Sequence, residues 1–155
     1  MTGTVTAGTL SLATAAAPTF SANLALGDST PTYTLPLSAV DTTGTGAGWN
    51  LTITSTQFTT GGGTPHTLAT NASAITGVTS VCASGTCTNP TNAVTYPLVV
   101  PAAATPPAAV KFFNAAANTG LGSFTATPTV GVFVPAASFA GSYSSTLTVS
   151  IVSGP

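Results

Sequence analysis

Apolar and polar residues alternate along most of this chain, and the alternation predicts strands. Trp49, Leu51 and Ile53 alternate with Asn50, Thr52 and Thr54. Tyr143, Ser145, Leu147, Val149 and Ile151 alternate with Ser144, Thr146, Thr148 and Ser150. Val94, Tyr96, Leu98 and Val100 keep the same period, as do Tyr33, Leu35 and Leu37, and Phe20, Leu24 and Leu26. A period of two with one apolar face marks a half-buried strand. Thr and Ser fill most outward positions; they suit β geometry and keep a surface wet without charge. Ile53 and Phe58 cannot share a face on one regular strand, so a bulge or bend near Ser55–Gln57 is expected.

Turn signals separate these runs, among them Gly27-Asp28-Ser29, Thr43-Gly44-Thr45-Gly46, Gly61-Gly62-Gly63, Ala83-Ser84-Gly85 and Thr119-Gly120-Leu121-Gly122. Short strands at this spacing predict an all-β fold: one antiparallel β-sandwich of immunoglobulin-like or Greek-key type over residues 1–155. Helix is expected to be scarce. Ala15–Ala17, Ala102–Ala104 and Ala115–Ala117 are candidates for single turns, with one turn expected near Phe112–Ala117. At 155 residues the chain can bury a real core, and its 43% hydrophobic share excludes disorder by lack of apolar residues.

Composition changes the picture most through what is missing. Asp28, Asp41 and Lys111 are the chain's three charged side chains, and His66 is its single histidine. An average domain is about 25% charged, against 2% here. A nucleic-acid partner would need many cations to displace counterions from phosphates, and one Lys cannot supply them. Binding to anionic lipid fails likewise. No run of 18 uninterrupted apolar residues is present, so membrane insertion is not expected. Met1 leads straight into Thr2-Gly3-Thr4-Val5-Thr6 with no secretion signal, which fits either the mature part of a secreted precursor with a start Met added or a cytoplasmic protein.

Cys82 and Cys87 flank Ala83-Ser84-Gly85-Thr86. A metal or redox site would need further ligands, and only His66 is on offer; a disulfide that pins a turn is the favoured reading. It implies an oxidising, extracytoplasmic setting. Neither cofactor nor metal is expected.

At Val40-Asp41-Thr42-Thr43-Gly44-Thr45-Gly46-Ala47-Gly48-Trp49-Asn50-Leu51 the chain resembles the WxL domain of bacterial surface proteins. That family shows a Val-Asp, a Gly-rich bend, Gly-Trp-x-Leu and then a Thr-rich strand. Leu10-Ser11-Leu12 before Pro18-Thr19-Phe20 resembles its opening, and Asn118-Thr119-Gly120-Leu121-Gly122-Ser123-Phe124 resembles its Gly-x-Gly-aromatic segment. Val134-Pro135-Ala136-Ala137 through Ala140-Gly141-Ser142-Tyr143 resembles its last motif. The family's second Trp-x-Leu is matched by Val149-Ser150-Ile151, so the Trp is lost. The resemblance implies a secreted domain at the cell surface, linked to peptidoglycan attachment.

Each candidate residue carries two readings. Trp49 is a core residue or a stacking platform for a wall polymer. Asp41 caps the glycine-rich bend or ligates a cation, and Asp28 reads the same way. His66 has no nucleophile elbow to serve, and Asp28 and Asp41 have nothing to mark them as a catalytic pair, so no enzyme is expected. Lys111 reads as a snorkelling strand residue. Asn50-Leu51-Thr52 and Asn71-Ala72-Ser73 fit the N-glycosylation pattern, with Asn50 expected to point outward.

Two functions compete. The first is a structural subunit at the cell surface that assembles with copies of itself through strand edges. The run Thr2 to Leu10, with Thr4, Val5, Thr6 and Leu10, would be the exchangeable strand, because an uncharged surface lacks the residues that guard sheet edges. The second is a module that binds cell-wall polysaccharide.

Overall fold

The computed structural model describes residues 1–14 and 17–155. The chain forms an all-β sandwich of two sheets, as the alternation predicts. The larger sheet contains β1 (Leu10–Thr14), β2 (Thr32–Thr34), β3 (Leu37–Asp41), β5 (Ser73–Ser84), β6 (Leu98–Val99) and β9 (Gly122–Val132). Its order is β1-β3-β9-β5-β6, with β2 also on β9. The smaller sheet contains β4 (Trp49–Thr56), β7 (Ala102–Ala103), β8 (Val110–Ala115) and β10 (Leu147–Ser153), with β4 in the middle. The chain changes sheet at β3–β4, β4–β5, β6–β7, β8–β9 and β9–β10.

Proline sets one break. β2 and β3 keep a single register on β9, Thr34 opposite Thr129 and Leu37 opposite Ala126. Pro36 between them has no N–H to give the ladder. The Leu35 N–H still reaches Pro128 O at 3.1 Å.

The core is built from inward positions of both sheets: Leu37, Trp49, Leu51, Ile53, Phe112 and Phe124 are fully buried. A second, smaller cluster gathers Leu68, Ala72, Val132 and Val134 under Phe20, Leu24, Tyr33, Phe58 and Tyr143. The phase problem at Ile53 and Phe58 is solved without the bulge expected at Ser55–Gln57. β4 ends at Thr56, and Phe58 belongs to the second cluster. The register slip falls instead on β8, where Leu51 faces Phe113 and Thr52 faces Lys111. The extra residue, Phe112, lets consecutive positions 112–115 all be buried.

Several expected elements are corrected. The turn expected at Phe112–Ala117 is strand as far as Ala115, because its aromatic and buried positions pair with β4. Ala102–Ala103 pairs parallel to β4 rather than coiling. The turn expected at Ala15–Ala17 falls on residues 15 and 16, outside the described residues. Phe20, Leu24 and Leu26 do not form a strand: Leu24–Leu26 is a single 3-10 turn capped by the Asn23 side chain, and Leu26 is exposed. The run Val94–Val100 is strand at Leu98–Val99 alone, since side-chain hydrogen bonds hold Asn92–Tyr96 in another shape. β10 starts at Leu147, not Tyr143. In the run Thr2–Leu10, Leu10 is in a strand, paired with Asp41 of the same chain.

Candidate functional site

Trp49 opens β4 opposite Ala115 and Ser153 and is 0% exposed. Its indole N–H donates to Gly120 O at 2.9 Å, and its ring lies 5.9 Å from that of Phe113. Gly120 sits at φ 72°, where a Cβ would collide with Ala115 and the indole. The sequence places Gly120 where the tryptophan needs both a carbonyl and room. The wall-contact reading of Trp49 is therefore corrected, because no face of the buried ring is open for a sugar to stack on.

The carboxylates do structural work. Asp41 is buried and accepts hydrogen bonds from the Thr43 N–H at 3.0 Å and the Thr43 hydroxyl at 2.7 Å, which caps the bend. Asp28 is exposed and accepts from the Ala136 N–H at 2.8 Å. Lys111 lies on the exposed side of β8. Cys82 and Cys87 form a disulfide with Cα atoms 5.9 Å apart, closed across Gly85 at φ 67°. Asn50 is half-buried, and its amide donates to Gly154 O at 2.8 Å, while Asn71 is exposed. Among the described residues no cluster of three His, Cys or carboxylate groups could hold a metal ion. No helix of the described residues is long and apolar enough to cross a membrane. Thr4, Val5 and Thr6 are exposed, and Val5 is 98% exposed.

The feature that sequence reasoning missed is a cleft of about 1220 Å³ at the open side of the sandwich. The end of β1, the segment 17–24, the loop 139–146 and the start of β10 surround it. Its aromatic residues are Phe20, Tyr33, Phe58, Phe139 and Tyr143. Phe20 stacks against Tyr33 with centroids 6.2 Å apart and meets Phe58 edge-on at 5.5 Å. At the rim the His66 ring lies flat on Phe139, with centroids 3.7 Å apart and planes 10° apart. Phe139 is 63% exposed, and the Tyr143 hydroxyl donates to its carbonyl at 3.0 Å. Ser142, Ser144, Ser145 and Thr146 line one wall. None of the three charged residues does. Burial of Tyr33 pushes its phenol above the ordinary value of 10.0, so it stays neutral in normal conditions. Val149, standing where the resemblance expects the second Trp, also lines the cleft. The sequence signals that could have pointed here were Phe20, Phe58 and Phe139, three aromatics off the regular strands.

The described residues form a two-sheet β-sandwich with a buried Gly-Trp-x-Leu strand and a surface cleft whose lining carries no charged side chain. The sequence model of a family described as "WxL domain surface cell wall-binding" matches residues 2–155, and the chain belongs to this WxL family. The family places the protein at the cell surface, among domains that bind the cell wall. Searches of curated proteins and of solved structures found no match.

Proposed function

We propose that this domain holds a cell-wall polymer in the cleft between β1 and β10. One observation carries the reading: a large, open cleft lined by five aromatic residues and several Ser and Thr residues, with no charged side chain among them. Binding sites are concave and mostly apolar, with a few polar groups that fix orientation. The family's wall-binding role supports the same reading. The test is co-sedimentation with insoluble peptidoglycan. The wild-type protein should pellet with the wall and Phe139→Ala should stay in the supernatant. Equal pelleting of both would remove the cleft from the account.

Self-association through the N-terminal arm is a second reading, favoured by one feature. Gly8 and Thr9 hydrogen-bond to Thr42, but no hydrogen bond joins residues 1–7 to the rest of the described residues. Met1, Gly3, Val5 and Ala7 alternate with Thr2, Thr4 and Thr6, a strand pattern with nothing on its apolar face. In this reading the arm adds to a sheet edge of a second copy, with no charge to oppose it. Leu10 is not exchanged, since it pairs within its own sheet. Deleting residues 2–7 should abolish any concentration-dependent association seen by sedimentation velocity. Association that survives the deletion would remove the arm from the account.

A further inference from the structure

We propose that the polymer seated in the cleft is an uncharged glycan chain, and not a phosphate-rich wall polymer or a charged peptide. This rests on the wall-binding reading above and narrows it to one chemistry.

The charge inventory decides between polymers. A polyanion is held by Lys and Arg through charge-assisted hydrogen bonds, and its binding weakens steeply with salt. This chain has one Lys and no Arg, and Lys111 lies on β8, away from the cleft. A peptide with free carboxylates or amines would bury charges with no partner, which is costly. The cleft lining has no acidic or basic side chain to pair them.

A glycan meets what the cleft does offer. Sugar rings are amphipathic: their C–H faces pack on aromatic rings, and their hydroxyl and amide edges exchange hydrogen bonds with neutral polar groups. Phe20, Phe58 and Tyr143 supply apolar faces within the cleft, and Ser142, Ser144 and Thr146 supply donors and acceptors. At the rim, Phe139 is 63% exposed yet held flat against His66. An exposed aromatic fixed in orientation offers contact area at little entropic cost.

Size argues for a chain rather than a single sugar. Small-molecule sites span roughly 300–1,000 Å³, and this cleft is about 1220 Å³ and open to solvent. It has room for several linked sugars in succession.

The experiment uses the full chain. Four probes are compared by calorimetry or sedimentation: intact peptidoglycan, a soluble β-1,4-linked N-acetylglucosamine oligomer that carries no charge, a polyglycerol phosphate, and the free stem peptide. Wild type should bind intact peptidoglycan and the uncharged N-acetylglucosamine oligomer. Affinity should change by less than about twofold between about 50 and 500 mM NaCl. Phe139→Ala removes the rim platform and Val149→Trp fills the cleft. Each should weaken glycan binding by at least about tenfold with the thermal transition retained. Binding to the phosphate polymer or the stem peptide instead of the glycan would overturn the proposal, as would a salt loss of about tenfold or more. Undiminished glycan binding by both variants would also overturn it, by showing that the glycan sits elsewhere. If wild type fails to bind even intact peptidoglycan, the wall-binding reading itself falls.

Discussion

The two sides of this sandwich solve one problem in opposite ways. Wherever two sheets meet at their edges, something must cover the core. On the β8 side, the segment 88–97 does so with a hydrogen-bonded strap. The Thr88 N–H donates to Leu121 O, the Ala116 N–H to Thr91 O, and the Asn114 N–H to the Asn92 side chain. The buried Asn114 carboxamide accepts from the Ala93 N–H at 2.9 Å, and the Tyr96 hydroxyl donates to Phe112 O at 2.7 Å. On the β1–β10 side, the segment 17–24 covers the core with aromatic contacts and leaves a cleft. The strap has specific partners and little room. The cleft has apolar faces, hydroxyls and space. The difference separates a side that holds the fold together from a side able to hold something else.

If that division is right, substitutions on the strapped side should cost stability and those at the cleft rim should cost binding. Trp49→Ala should have the largest effect. The buried indole donates to Gly120 O, and the Gly120 N–H donates to Thr88 O of the strap at 2.8 Å, so loss of the indole should destabilise by about 3–5 kcal/mol in urea denaturation. Asn114→Ala should follow at about 2–3 kcal/mol, because it strands the Ala93 N–H and breaks the strap. Replacing Cys82 and Cys87 together by Ser should cost about 2 kcal/mol on the chain-entropy account, since the loop they close is short.

Alkaline titration probes both sides at once. Burial raises the phenol of Tyr33 in the cleft above 10.0. It also raises that of Tyr96 in the strap, partly offset by the hydrogen bond from Asn92. The native protein therefore holds these protons more tightly than the unfolded chain. The stability they contribute is fully present below about pH 10 and is lost as pH rises through the raised values. Thermal midpoints followed from neutral to alkaline pH should show a fall that begins near that point. A midpoint that stays level through the phenol titration would contradict it. The smallest effect on stability belongs to Phe139→Ala, within about 0.5 kcal/mol, because that ring is mostly exposed. Its effect should appear in wall binding instead.

The strapped side and the cleft also differ in how far they could be read from sequence. Strands β4 and β10 have an inward face, and their alternation announces it; Trp49-Asn50-Leu51 is the clearest case. The disulfide was legible because two cysteines five positions apart had few other uses. The strap was not. Val94 and Tyr96 alternate like strand residues, but Asn92 bonds to Val94, Tyr96 and Asn114, and those side-chain bonds replace a ladder. The cleft was hidden for a different reason. Phe20, Phe58 and Phe139 lie about 40 and 80 positions apart in loops, and periodicity carries no signal between loops. Trp49 could be read from sequence as core or as a wall contact, and its 0% exposure decides for the core.

The central claim is that the β1–β10 side binds and the strapped side does not. Backbone amide chemical shifts recorded while an uncharged β-1,4-linked N-acetylglucosamine oligomer is added test it most directly. The account predicts shifts concentrated in residues 17–24 and 139–149 and at His66, with 88–97 unchanged. Shifts centred on the strap, or none near Phe139 at saturating glycan, would contradict it.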